Sequence, residues 1–304
     1  MPDHPERRVV IAGASGLIGS ALAASYRADG YTVTRLVRRR ATTPDEVEWL
    51  TDTEPLRPGV LDGAEAVIGL NGASIGRFPW TRSYRSTLLW SRLTPTRTLA
   101  HAVHQLGAAA PVFVSASAVG YYGDAPGTVL TEDAPRGQGF LADLCAQWEA
   151  SAAIAGNQTR VASVRISPVV HPDAVLKPMI RLTRLGLGGP IGAGTQSWPW
   201  ITLPDVVAAI RHTVRSSLAG PVNLAGPTRA SADDLGFALA RALNRPYLLP
   251  APKWGLSLVL GKAATESLLT SDMHVVPKAL TESGFQFQHE TVDAAVASLF
   301  PAGA

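Results

Sequence analysis

Residues able to do chemistry gather at two places in this chain of 304 residues. One is Ser115-Ala116-Ser117-Ala118-Val119-Gly120-Tyr121-Tyr122-Gly123, which follows the apolar Pro111-Val112-Phe113-Val114. Hydroxyls emerging where a buried strand ends lie on the ligand side of an open α/β sheet. A serine and a phenol there could position a substrate oxygen and move the proton that accompanies hydride transfer at a carbonyl or alcohol. Ser117, Tyr121 and Tyr122 are therefore the candidate catalytic residues. A plain small-residue turn, with each tyrosine needing one hydrogen-bond partner, is the structural alternative. The other place is Gly13-Ala14-Ser15-Gly16-Leu17-Ile18-Gly19, directly after Val9-Val10-Ile11-Ala12. Gly13 would permit a tight turn, Gly16 would leave room for a pyrophosphate, and Gly19 would let a helix pack closely on the sheet with its N-terminus toward the phosphates. The spacing G-x-x-G-x-x-G differs by one residue from the commoner fingerprint. Its place after a β-branched strand favours dinucleotide binding over an ordinary turn, with Gly13, Ser15, Gly16, Leu17, Ile18 and Gly19 as the candidate contacts.

The elements that must hold these residues alternate along the first half. Residues 31–37 read as a second strand, and Arg38-Arg39-Arg40 follow it about twenty residues beyond the glycine turn, where an NAD-selective site often places an acid. Guanidinium forks match a 2′-phosphate, so Arg38 and Arg39 favour NADP(H), with a solvated basic strand end as the alternative. Residues 41–60 read as an irregular connection with a short strand near 47–50, and residues 64–70 as a buried strand. That strand leads into Asn71-Gly72-Ala73, small enough for a dinucleotide to approach the backbone and equally explained as a strand-to-loop turn. Residues 80–106 are helical in pattern, residues 141–155 give a helix with an apolar face of Leu141, Leu144, Cys145 and Trp148, and residues 161–166 form another strand. Cys145 reads as core.

Beyond Pro168 the alternation weakens. Residues 176–185 form a helix, residues 186–194 a glycine-rich loop, and Asp205 the N-cap of an apolar helix over 206–214. Residues 221–224 read as a strand. Ser231 and Asp234 have capping-box spacing ahead of a helix to 243. Residues 254–260 are apolar enough for a helix face or lid and too short to span a bilayer, and Gly261-Lys262 lacks the glycine and hydroxyl residue of a phosphate P-loop. Short helices over 277–284 and 291–300 complete the chain.

Composition bounds the reading. A hydrophobic content of 46% supports one large α/β domain or a nucleotide domain with a smaller C-terminal lobe. A formal charge of +3, with arginines spread along the chain, gives no basis for nucleic-acid binding. One cysteine excludes an intramolecular disulfide and a cysteine zinc cluster. No run of 18 apolar residues and no apolar leader are present, so no membrane span is expected, and no metal-binding residues are assigned.

As a set, these motifs resemble the extended short-chain dehydrogenase/reductases. More narrowly, the chain is similar to the nucleoside-diphosphate-sugar epimerase-like family, whose members are named epimerase family proteins or cell-division inhibitors. The resemblance runs through residues 13–19, 91–98, 115–123, Leu144-Cys145-Ala146-Gln147-Trp148-Glu149, 184–192, 200–205 and 268–287, nearly the whole chain. It implies a Rossmann-like doubly wound parallel sheet with a small C-terminal substrate lobe. Residues 7–170 would be mainly the NADP-binding domain, and 171–300 a mixed region serving both core and lobe. It implies an oxidoreductase or epimerase acting on a small polar alcohol or carbonyl, a nucleotide sugar among the candidates, in the cytoplasm and with a homodimer open. Ser117 matches the family's serine, and Ser115, Ser167 and Val169 fall beside the cofactor. The family's Tyr-x-x-x-Lys pair is absent: the register places Gly139 near the tyrosine and Asp143 near the lysine, and Thr202 stands where histidine is common. A cofactor-binding regulatory or scaffold protein is the alternative function.

Overall fold

Seven strands form one parallel sheet in a computed structural model that describes residues 7–51, 55–57, 59–250, 261 and 264–300. The order is β10-β7-β5-β4-β1-β2-β3, from β1 (Arg8–Ala12), β2 (Thr32–Val37), β3 (Glu46–Glu48), β4 (Ala66–Gly69), β5 (Val112–Ala118), β7 (Val161–Ile166) and β10 (Gly220–Leu224). The central strands are apolar runs because helices cover both of their faces. On one face α1 (Leu17–Ala28) and α5 (Leu203–Arg215) bury Leu22, Tyr26, Val206 and Ile210 against Val9, Ile11 and Val164. On the other, α2 (Arg82–Gln105) buries Leu99, Ala100 and Val103 against Val10, Val67 and Phe113, and α3 (Phe140–Ala152) packs beside it.

The chain leaves β1 in both directions across the sheet, so the switch point lies between β1 and β4. Ligands of open α/β sheets bind outside the carboxyl ends of such strands. Gly13 at the end of β1 and Leu70 at the end of β4 meet there: a Cβ on Gly13 would lie 2.7 Å from the Leu70 carbonyl carbon, and φ is +84°.

A second core forms the C-terminal lobe. Trp198, Trp200, Leu235, Leu239 and Val296 pack together between α4 (Leu176–Arg184), α6 (Ala232–Ala242) and the helix Val292–Leu299. Between lobe segments the chain returns to the sheet through α5 and β10. Two-stranded pairs tie loops to this frame: β8 (Val169–Val170) with β9 (Ile201–Thr202), and β6 (Val129–Leu130) with β11 (His274–Val275). Among the described residues no helix is long and apolar enough to cross a membrane.

Three local expectations are corrected. The short strand is Glu46–Glu48 rather than 47–50, because Leu50 takes φ +57° and leaves the ladder. The cap of α5 is Thr202, not Asp205: Thr202 is extended and its Oγ1 accepts the Asp205 N–H at 3.2 Å, which places Asp205 inside the first turn. The strand expected near 111–114 runs on to Ala118, and the Gly-Tyr-Tyr turn that follows is a 3₁₀ turn, Val119–Tyr122. The Ser231–Asp234 capping box forms in both directions. The apolar segment 254–260 and Lys262 lie outside the described residues.

Candidate functional site

The glycine turn has the shape a pyrophosphate needs. The Gly16 N–H closes the turn onto the Gly13 carbonyl at 3.1 Å. Gly19 packs so tightly that a Cβ would lie 2.9 Å from Ala14 Cα and overlap the Gly13 carbonyl oxygen. Gly16 is different: its Cβ position meets only the Gly13 oxygen, at 3.5 Å, and otherwise opens outward. Ser15 is exposed at the crest of the turn. Leu17 and Ile18 begin α1 with no side-chain cap and no acid in the first turn, so the positive end of the helix is left for an anion.

Just beyond the carboxyl ends of β7 and β4, Ser167 Oγ and Asn71 Oδ1 are buried and have no partner among the described residues. Tyr26 Oη, Trp49 Nε1, Arg85 Nε and Glu132 Oε2 are also buried without a partner, but Ser167 and Asn71 are the two that follow central strands of the sheet, where a ligand would supply the missing bonds. Ser167 is held by its N–H, which donates to Leu224 O at 3.0 Å, and Val169 is fixed by its pairing with Ile201. Asn71, Gly72 and Ala73 are shaped from below by α2. Ser91 Oγ accepts the Ala73 N–H at 2.9 Å, Arg92 Nη2 donates to the Ala73 carbonyl at 3.1 Å, and a Cβ on Gly72 would lie 2.9 Å from Arg92 Cζ. Arg92 is buried without a carboxylate partner, and burial lowers its pKa. Ser115 sits two residues back along β5, enclosed, its hydroxyl turned to the Ala116 carbonyl at 3.3 Å.

The two arginines after β2 differ. Arg39 is committed to Glu46 through bonds of 2.6 and 2.8 Å, which hold the Glu46 carboxyl down at about 2. Arg38 is exposed and makes no hydrogen bond or ion pair among the described residues, so of these two its fork is free; the Arg40 side chain is likewise exposed without a partner among them.

Ser117, Arg165 and Asn223 stand in register across β5, β7 and β10, a polar row at the carboxyl end of an apolar sheet. Ser117 Oγ donates to Glu149 Oε1 at 2.7 Å, and Arg165 grips both Glu149 oxygens at 2.8 and 2.9 Å. Arg165 Nη1 also donates to the Tyr122 hydroxyl at 2.8 Å, and that hydroxyl donates to Asn223 Oδ1 at 2.7 Å. Tyr122 is thus 2% exposed, locked by both bonds, and its phenol pKa is raised chiefly by burial. Tyr121 is half-buried. Its ring faces the Arg165 guanidinium, 3.6 Å from Cζ to centroid, and its hydroxyl has no hydrogen bond among the described residues.

Glu149, Arg165 and Asn223 are functional candidates that motif reading passed over. The legible signal was Arg165 inside Val-Ala-Ser-Val-Arg-Ile, because a cation in a buried strand demands a counter-charge. The α3 register also needs correction. Asp143 is 55% exposed and paired with Arg136, so it points away from the strands, and Gly139 is the residue ahead of the helix. The face turned to the site is Leu141, Cys145 and Glu149: Gly120 packs on Leu141 and Cys145, and Glu149 meets Ser117. Helix periodicity dictates this, since residues four apart share a face. The Cys145 thiol is pushed up to about 12 by burial, which removes it as a nucleophile. Among the described residues no cluster of His, Cys, Asp or Glu is placed to hold a metal ion.

Comparison with known proteins matches this geometry. Residues 9–225 match the NAD dependent epimerase/dehydratase family, and residues 251–299 match a domain of unknown function, DUF1731. An epimerase family protein of Mycobacterium bovis is 39% identical over 291 residues, 95% of this chain and 96% of its own length. The crystal structure of human epimerase family protein SDR39U1 with NADPH superposes with a TM-score of 0.88 at 29% identity, covering 96% of this chain and 98% of that one. A UDP-glucuronic acid 4-epimerase of Bacillus cereus, solved with UDP-glucuronic acid and NAD, shares the fold at 14% identity and a TM-score of 0.74, covering 96% and 98%. The chain therefore belongs to the NAD dependent epimerase/dehydratase family, with the doubly wound fold of the extended short-chain dehydrogenase/reductases.

Proposed function

We infer that this protein is an NADP(H)-dependent oxidoreductase or epimerase that acts on an alcohol or carbonyl of a nucleotide sugar. The observation that carries the cofactor is the pair of orphaned polar atoms, Ser167 Oγ and Asn71 Oδ1, just beyond the carboxyl ends of β7 and β4. Gly13, Gly16, Gly19 and the uncapped start of α1 fit the pyrophosphate, and Arg38 offers a free guanidinium for a 2′-phosphate. The NADPH bound by the human relative supports the phosphorylated form. When bound, the cofactor supplies hydride transfer.

The protein's own residues divide the remaining work. Ser117 gives its proton to Glu149, so it presents lone pairs and suits a substrate hydroxyl as acceptor. Tyr121 has the phenol free to give or take a proton, while Tyr122 anchors Arg165 and Asn223. Arg165 pairs with the Glu149 carboxylate and braces the Tyr121 ring. UDP-glucuronic acid in a structural relative supports the substrate class. The test is titration of NADPH and NADH, then a panel of nucleotide sugars followed by NADPH absorbance and by product analysis, since an epimerase shows no net redox change. Loss of turnover in Ser117→Ala and Tyr121→Phe, with NADPH binding retained, supports these roles; unchanged turnover in both refutes them. The scaffold reading has one observation in its favour: Gly139 and Asp143 stand where the family's tyrosine and lysine would, and Asp143 is exposed and paired with Arg136. NADPH binding without turnover on the full panel would favour it.

A further inference from the structure

Arg85 lies in the second turn of α2 and is half-buried, with its Nε enclosed and without a hydrogen-bond partner. Other partly or fully buried arginines are satisfied: Arg165 by Glu149, Arg35 by Asp45, Arg160 by the carbonyls of Thr213, Val214 and Leu218. Arg85 has no carboxylate within ion-pair distance among the described residues, and the first turn of α2 contains no acid. Desolvating a guanidinium without a partner is unfavourable, so an anion arriving from outside would satisfy it.

The surroundings indicate where that anion would come from. Arg85 Cζ lies 5.3 Å from the Phe140 ring centroid, and Phe140 packs edge-on to Trp80 at 5.8 Å. Phe140 opens α3, whose N-cap Gly139 has φ +99° and provides no side-chain cap. The next residue, Leu141, packs on Gly120, the neighbour of Tyr121, and Phe140 and Tyr121 border the same apolar cluster. Arg85 is therefore linked through Phe140 and Leu141 to the wall that carries the free phenol.

We propose that Arg85 and Phe140 form an anion subsite for an acidic group of the substrate, a phosphate or a carboxylate gripped by the guanidinium fork while a ring or sugar face lies on Phe140. The subsite rests on the nucleotide-sugar reading for the identity of its ligand, but not for its existence. A nucleotide sugar carries a diphosphate, and a sugar acid adds a carboxylate; either matches the fork.

The experiment uses the full chain saturated with NADPH, as the natural protein and as Arg85→Met and Arg85→Lys. Calorimetry with UDP-glucuronic acid, UDP-glucose and UDP is paired with thermal shifts in phenyl phosphate, a probe with an anion and a ring but no nucleotide. Arg85→Met is expected to weaken UDP-glucuronic acid by about tenfold or more and to abolish the phenyl phosphate shift. Arg85→Lys recovers part of the affinity, and NADPH binding stays within about twofold in both. A loss confined to UDP-glucuronic acid assigns the carboxylate, and an equal loss for all three assigns the diphosphate. Nucleotide sugars that bind without regard to Arg85 would overturn the subsite and leave the nucleotide-sugar reading standing. Failure of every nucleotide to bind, with an Arg85-dependent phenyl phosphate shift, would do the reverse. No Arg85-dependent response to any probe, or an equal loss of NADPH affinity, overturns the subsite.

Discussion

Gly16 and Gly19 lie three residues apart in the same turn, and alanine at each should fail in opposite ways. At Gly16 the backbone has φ −77° and ψ 169°, which any residue adopts, and the added Cβ meets only the Gly13 oxygen at ordinary contact distance. The entropic gain of Gly→Ala, roughly 0.4–1 kcal/mol, offsets the poorer N-cap. Stability should stay within about 1 kcal/mol, a Tm change of roughly 2–4 °C. A methyl there occupies the open side of the turn and would hold a phosphate away from the backbone N–H groups. Losing one charge-assisted bond costs about 1.5–3 kcal/mol, which corresponds to roughly 10- to 100-fold in NADPH affinity. At Gly19 the Cβ would run into the Gly13 carbonyl and Ala14 Cα, neither of which is a flexible side-chain end. Overpacking of that kind costs about 3 kcal/mol, a Tm loss of roughly 6–10 °C. Thermal unfolding and NADPH calorimetry on both variants separate the effects. Gly16→Ala with natural Tm and natural NADPH affinity would refute the placement of the pyrophosphate at this turn.

Arg38→Ala should lower the ratio of NADPH to NADH affinity by about tenfold in paired titrations, whereas Arg39→Ala should leave the ratio nearly unchanged and lower the Tm, because Glu46 loses its bidentate partner. Tyr122→Phe should cost about 1–3 kcal/mol in urea unfolding, since Arg165 and Asn223 each lose a bond, while Tyr121→Phe should leave the urea midpoint unchanged. Glu46 has its pKa lowered from 4.5 to about 2, first by the Arg39 bond. A carboxyl more acidic in the folded state stabilises fully above its unfolded value, so its contribution is lost as pH falls from about 4.5 toward 2. Glu46→Gln should flatten the fall of the urea midpoint across that window, and an identical slope would refute the linkage.

The parallel sheet was legible because its strands are short apolar runs separated by amphipathic segments, and each run read near 9–12, 31–37, 64–70, 161–166 and 221–224 became a strand. Boundaries failed where one residue decides them: Leu50 at φ +57° ended β3, and the hydroxyl of Thr202 outcompeted the Asp205 carboxylate for the cap. The tight glycine turn was legible because glycine spacing is a backbone constraint written directly into residue type. The hydroxyl site was only half legible. Tyr121 and Tyr122 are adjacent and chemically identical, and what separates them is Arg165 and Asn223, which lie 43 and 101 residues beyond Tyr122 and meet it through strand pairing. No local pattern carries that information. Reading residues 140–149 against the family's pair put Asp143 near the lysine position, whereas the helix period turns Leu141, Cys145 and Glu149 inward and leaves Asp143 exposed.

That inward face also shows how the site manages without a lysine. A lysine four residues after a tyrosine would bring a positive charge from the helix; here the face of α3 packed on Gly120 carries Leu141 and Cys145, and a thiol held at about 12 stays neutral near pH 7. The cation comes instead from the strand side, as Arg165, and arrives with its own counter-charge in Glu149. A buried pair is neutral as a unit, so it costs far less to enclose than a lone cation. It also does two things a lysine would not. It draws the Ser117 proton toward Glu149, which turns Ser117 from a donor into an acceptor, and it spreads a planar guanidinium across the face of Tyr121 while fixing Tyr122 at its edge. The polar machinery is thereby built into three neighbouring strands and one helix rather than into a single helix motif, which is why its parts are scattered from Ser117 to Asn223 and adjacent only in the fold.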